Sequence, residues 1–187
     1  MKLDSTRLAE DIEYIESDLA RLYSFNERLS NPNATMDTVV KIARYEYLPF
    51  FNPSNELNKS TITSLLNTGN IEYFDENIKS RILKHNADQL ELQKVMDQNV
   101  SIFLGSQYPK GPVMQSENSL MQSAVIKGPL LEKYWASKRD DEFLDRMLST
   151  LSGKILMYNF LFDSKRQLFQ KTNEMIDFLT DLENHTD

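Results

Sequence analysis

The feature that most constrains this chain is a three-four spacing of apolar residues carried over long runs with almost nothing to interrupt it. Leu8, Ile12, Ile15, Leu19, Leu22 and Leu29 follow that spacing through the first thirty residues, with Asn26 standing at one seam position. Side chains three and four apart share one face of an α-helix, so the pattern predicts an amphipathic rod. Only five glycines and six prolines are spread through 187 residues, which leaves little material for the many turns a sheet protein needs. The expected fold is therefore all-α: an irregular antiparallel helical bundle with long first, third and last helices. A short cross-helix is expected near residues 60–67.

The punctuation agrees with long helices. "DST" at Asp4 to Thr6 offers N-cap candidates for the first helix, and "SNPN" at Ser30 to Asn33 stops it. A second helical run covers Thr35 to Leu48 and ends on "LPFFNPSN", where two prolines forbid continuation and Phe50 and Phe51 are expected to pin the loop to the core. In "NKSTITSLLNTGNIEYF" the residues Ser60 to Leu66 make a short capped helix. Gly69 suits the left-handed position that closes such a helix. "DEN", Asp75 to Asn77, then starts the third long run with acid at its positive end.

That third run reaches about Leu104 and carries Ile82, His85, Leu92, Met96 and Phe103 inward. "GSQYPKGP", Gly105 to Pro112, predicts a loop joining residues 1–104 to residues 113–187 within a single helical domain. A shorter helix is expected over Ser116 to Lys127, then one led by Pro129 whose apolar face is Leu130, Leu131, Tyr134 and Trp135. The last run, Asp140 to about Glu183, is striped by Phe143, Met147, Leu151, Ile155, Tyr158, Phe162, Phe169, Ile176 and Leu179.

Charge and residue chemistry narrow the function classes. A net charge of −7 argues against nucleic acid and against an anionic membrane surface as partners. The absence of cysteine removes disulfides, thiol nucleophiles and thiolate-ligated metals. There is no His-Glu-x-x-His, no phosphate-binding glycine loop and no nucleophile elbow, and neither histidine has a glutamate three positions before it. Carboxylates such as Glu10, Glu13 and Asp97 read as solvated helix faces. No catalytic residue, cofactor or metal is expected. Asn26, Gly69, His85 and Trp135 are singled out as structural residues or ligand contacts: a polar break in a seam, a turn glycine, a hydrogen-bonded semi-buried histidine and the lone tryptophan anchor.

The phrase "STITSLLNTGNIEYFDENIKSRILKHNADQLEL", Ser60 to Leu92, resembles a segment of the bacterial domain of unknown function 6090 family. The charged first helix, Asp4 to Ser30, is similar to that family's membrane-proximal helix. Members carry a short basic N-terminus and one membrane helix ahead of this region, and this sequence holds no such span. The resemblance implies an extracytoplasmic, periplasmic domain tethered through a segment upstream of Met1, with no catalytic residues to carry over. The expected role is ligand sensing or binding without catalysis. The alternative is a soluble interaction or scaffolding module that pairs, with itself or another protein, through its first or last helix.

Overall fold

The computed structural model describes residues 2–48, 60–107 and 127–184. The expectations for Phe50, Phe51 and a helix over Ser116 to Lys127 fall almost wholly outside them. The described residues are all-helical: α1 (Lys2–Leu29), α2 (Met36–Lys41), α3 (Ser60–Asn67), α4 (Glu76–Gln107), α5 (Pro129–Ala136) and α6 (Asp141–Asn184). The first, fourth and sixth are the long ones, as the apolar spacing predicts.

Local chemistry sets several boundaries. Asp75 Oδ1 accepts the Ile78 amide at 3.0 Å and Asp140 Oδ1 accepts the Phe143 amide at 2.7 Å, so α4 and α6 each begin on an aspartate cap. Asp4 is not a cap, because α1 begins before it and the side chain is buried within the helix. The second run is shorter than the sequence suggests. After Lys41 it widens into a π-helical turn, Ile42–Glu46, closed by the Tyr47 amide donating to the Ile42 carbonyl at 2.8 Å. Helix α4 runs on through Gly105 to Gln107, so the loop expected from Gly105 does not begin there.

Gly69 follows α3 with φ +72°, where an L side chain is strained. A Cβ at this position would meet nothing within 4 Å, so it is backbone conformation and not space that calls for glycine. A 3₁₀ turn, Asn70–Tyr73, then carries the chain toward α4.

The chain divides into two compact units, interleaved along the sequence and not arranged as successive halves. The first takes the described residues of Met1–Glu16, Pro53–Asn99 and Phe160–Asp187; the second takes those of Ser17–Asn52 and Val100–Asn159. In the first unit Leu8 packs on Leu168, with Leu92 and Phe169 against them. A second cluster joins Ile71, Ile82 and Met175. Each such fully buried aliphatic side chain contributes about 2 kcal/mol of transfer free energy. Ser5 reaches Asn173 and Asp11 reaches Lys165, while Asp88 reaches Lys171 and the Arg81 guanidinium covers the Phe178 ring. Within the first unit these partners ascend α1 and α4 as they descend α6, so the segments run antiparallel there.

In the second unit the core includes Leu22, Phe25, Ile42, Tyr47, Trp135 and Met147. Phe25, and not Asn26, continues the seam of α1, since Phe25 is buried and Asn26 is exposed. Leu130 is exposed as well and leaves the apolar face of α5 to its neighbours.

Candidate functional site

Several polar side chains are buried by the helices of this protein. On α6 the buried residues Met147, Leu151, Lys154, Tyr158, Leu161, Lys165, Leu168, Thr172 and Met175 are spaced by four and three in turn, with Phe143, Thr150, Met157 and Ser164 buried beside them. On α1, Asp4, Leu8, Ile15, Asp18, Leu22 and Phe25 are buried in the same rhythm, with half-buried Asp11 completing it and Leu19 buried beside Asp18. Lysine, tyrosine and threonine on one helix, and three aspartates seven residues apart on the other, thus occupy core positions of a heptad. Of the apolar stripe expected on α6, Phe143, Met147, Leu151 and Tyr158 are in the core, whereas Ile155, Phe162, Phe169, Ile176 and Leu179 are half-buried.

In the second unit these residues converge on Lys154. Its side chain is 1% exposed, and Nζ donates to the Leu48 carbonyl at 2.6 Å, just past the π turn. The same Nζ stands 5.1 Å from the centre of the Tyr47 ring and 5.5 Å from that of Tyr158, within cation–π range of both. Asp18, on α1, is divided between two donors: Arg21 at 2.7 Å on Oδ1 and the Tyr158 hydroxyl at 2.9 Å on Oδ2. Burial pushes the Lys154 amine down to about 8, against the opposing pull of the Asp18 carboxylate. Burial also pushes the Tyr47 hydroxyl well above the ordinary phenol value, with Arg21 acting in the other direction. Such a set of displaced, mutually arranged ionisable groups marks a functional candidate, although ion-pair networks of purely structural purpose produce it too.

The first unit offers a different feature. Between α1 and α6 runs an open groove of about 610 Å³. Half-buried Ile12 and Phe169, with exposed Ala9, supply its apolar lining; Glu13, Glu16, Asp163, Arg166, Gln167 and Gln170 supply its polar lining. Three carboxylates face one guanidinium, and that guanidinium lies 5.5 Å above the Phe162 ring. The groove therefore carries a surplus of acid beside its apolar lining.

The four residues singled out from sequence are not gathered into one place. Asn26 and Trp135 belong to the second unit, Gly69 and His85 to the first. Trp135 is 2% exposed, its indole crossed by the Arg44 guanidinium at 5.7 Å, while its Nε1 has no acceptor. His85 is buried, yet its Nε2 has no hydrogen-bond partner, contrary to the hydrogen-bonded histidine expected from sequence. Burial holds its imidazole below the ordinary value, while Asp88 pulls the other way. Lys154, Asp18, Asp11 and Lys165 are not found from sequence because a charged residue on an amphipathic helix reads as solvated. Their heptad phase was the available signal.

Among the described residues no group of three or more histidine, aspartate or glutamate side chains is placed to hold a metal ion. Nor is any described helix long and apolar enough to cross a membrane. No family model matches the chain, and neither a curated protein nor a solved structure is similar enough to count as a match.

Proposed function

We propose that this chain is a non-enzymatic helical domain that binds or senses a ligand, extracytoplasmic and tethered through a membrane helix upstream of it. The groove of the first unit is the observation that carries the binding part. Its volume of about 610 Å³ falls in the size range of small-molecule clefts, and it joins an apolar lining to a few polar groups. The surplus of carboxylates in its lining favours a ligand with an apolar body and a positive head. The tether and the compartment rest on the family resemblance of Ser60 to Leu92.

The test is a titration of isotope-labelled protein with a long-chain primary amine below its micelle concentration, beside the fatty acid and alcohol of equal length. The amine is expected to shift the signals of Ile12, Glu13, Phe169 and Gln170, and reversing the charge with E13K and E16K is expected to weaken it at least tenfold. Equal binding of acid, alcohol and amine overturns the ligand class. No response at the groove to any of the three overturns the binding reading. Self-association through α1 or α6, the scaffolding alternative, shows instead as a mass that rises with concentration. Cleavage by protease added to intact spheroplasts checks the compartment; full protection there defeats the extracytoplasmic assignment.

A further inference from the structure

We propose that two copies of this chain pair through the outward face of α6 between Asp145 and Asn159, about a two-fold axis at Ser152. This inference is independent of the groove.

The face is defined by what α6 exposes within the second unit. The helix opens with three exposed residues, Asp141, Glu142 and Asp145, and all are acidic. The next four exposed residues are Leu148, Ser149, Ser152 and Leu156, and none is charged. Leu148 is 41% exposed and Leu156 is 73% exposed. Lys154, which falls between them in sequence, is buried in the core. Residues 148, 152 and 156 are spaced by four, so they stand in one row along the helix. Asn159 adjoins the end of that row. Its amide donates to the Tyr23 hydroxyl at 2.8 Å, and the hydroxyl donates back to Oδ1 at 3.1 Å, so an exposed ring of α1 edges the face. Glu27 is the first exposed charge after Tyr23 on α1 and belongs to the rim.

A second copy of the chain is the occupant this face fits. In a two-fold contact, residue i meets residue j as j meets i. Leu148 and Leu156 lie equally far from Ser152 in sequence, as do Asp145 and Asn159. With Ser152 on the axis and the two helices antiparallel, Leu148 packs on the partner's Leu156, and Leu156 on the partner's Leu148. Asp145 then faces the partner's Asn159, an amide and not a like charge. The serine at the centre is small enough for close approach, where a charged residue would oppose its own copy. The whole chain carries a net charge of −7, so two copies repel over most of their surface. An uncharged row is where they approach at least cost. A partner recognised by opposite charge would find none to read here.

Size sets the strength. Asp145 to Asn159 spans about 21 Å of helix. One helix pair of that length buries less than the ~800 Å² per partner of a stable complex. The dimer is therefore expected to be weak, with a dissociation constant of roughly 100 μM.

Sedimentation equilibrium of the full chain, from about 10 μM to about 1 mM, brackets that value. The mass is expected to rise from 21.8 kDa toward twice that figure and no further. L148K and L156K each set an ammonium against the partner's leucine and are expected to weaken pairing about tenfold or more, to the same extent. L130K, at a leucine 79% exposed on α5, is expected to leave it unchanged. All three leucines are exposed, and circular dichroism confirms that the helices persist. Because the chain has no cysteine, a short bis-maleimide is expected to link S152C to its own copy and not to link S17C, which is exposed on α1. Added salt is expected to strengthen the pairing by screening the net charge. A mass that stays at 21.8 kDa across the range overturns the proposal. So do pairing that survives L148K and L156K, growth beyond a dimer, equal linking of S17C, and pairing that weakens with salt.

Discussion

Lys154 and Lys165 lie on the same face of α6, eleven residues apart, and the two compact units treat them differently. In the first unit Lys165, 3% exposed, is met by the Asp11 carboxylate. In the second, Lys154 is met by a carbonyl and two aromatic faces, while Asp18, the next aspartate along α1, is divided between Arg21 and Tyr158. Both positions belong to one heptad rhythm. One unit sets its buried lysine against a carboxylate; the other sets its buried lysine against a carbonyl and two ring faces. Buried charge is weak evidence for stability in either place, because desolvation consumes most of the attraction. The contrast is between a buried lysine with a carboxylate at its amine and one whose amine meets a carbonyl and aromatic faces.

The largest expected effect tests the first half of that contrast. D11A leaves the Lys165 ammonium buried without its carboxylate and should cost about 3 kcal/mol in urea unfolding, whereas K165M, which removes the charge itself, should cost less than about 1 kcal/mol. If D11A and K165M cost the same, the pair contributes nothing beyond packing and the comparison fails. Next comes Y158F. Removing one of the two donors to Asp18 should cost about 1.5 kcal/mol, the value of a hydrogen bond to a charged group, with Arg21 retained. A loss as large as that of D11A would mean the second unit also depends on a fixed charge pair.

The smallest effect is a slope and belongs to His85. Burial holds its folded-state value below the ordinary one of about 6.5, so the folded protein resists a proton that the unfolded chain accepts. Stability should therefore fall as pH drops below about 6.5, and H85L should flatten that part of the curve. Steady wild-type stability between pH 7 and pH 5.5 would remove His85 from the list of strained groups.

How much of this was legible depended on which interaction decided each position. Helix length was readable because apolar spacing and the scarcity of glycine and proline act locally: α1, α4 and α6 emerge near where the pattern puts them. Gly69 was readable for the same reason, since the end of a short helix dictates its own backbone angle. Asn26 was misplaced by one position because both Phe25 and Asn26 fit a three-four count, and only the partner surface chooses between them. The stripe of α6 follows its most apolar residues, which finds the core at Phe143, Met147, Leu151 and Tyr158 but puts Ile155, Phe162, Phe169, Ile176 and Leu179 there in place of polar neighbours. That error hid Lys154, Lys165 and Thr172, whose core positions can be recognised only when the polar residues are allowed to count. The π turn was not legible at all; nothing in "IARYE" distinguishes it from an ordinary helical turn.

The sequence by itself determined that the chain forms long amphipathic helices, because that outcome needs only neighbours three and four residues away and few residues able to break a helix. Tertiary structure alone decided which polar groups left water. Whether Asp11, Asp18 and Lys154 are solvated or buried depends on what chain more than a hundred residues distant brings against them: an ammonium, a hydroxyl or a backbone carbonyl.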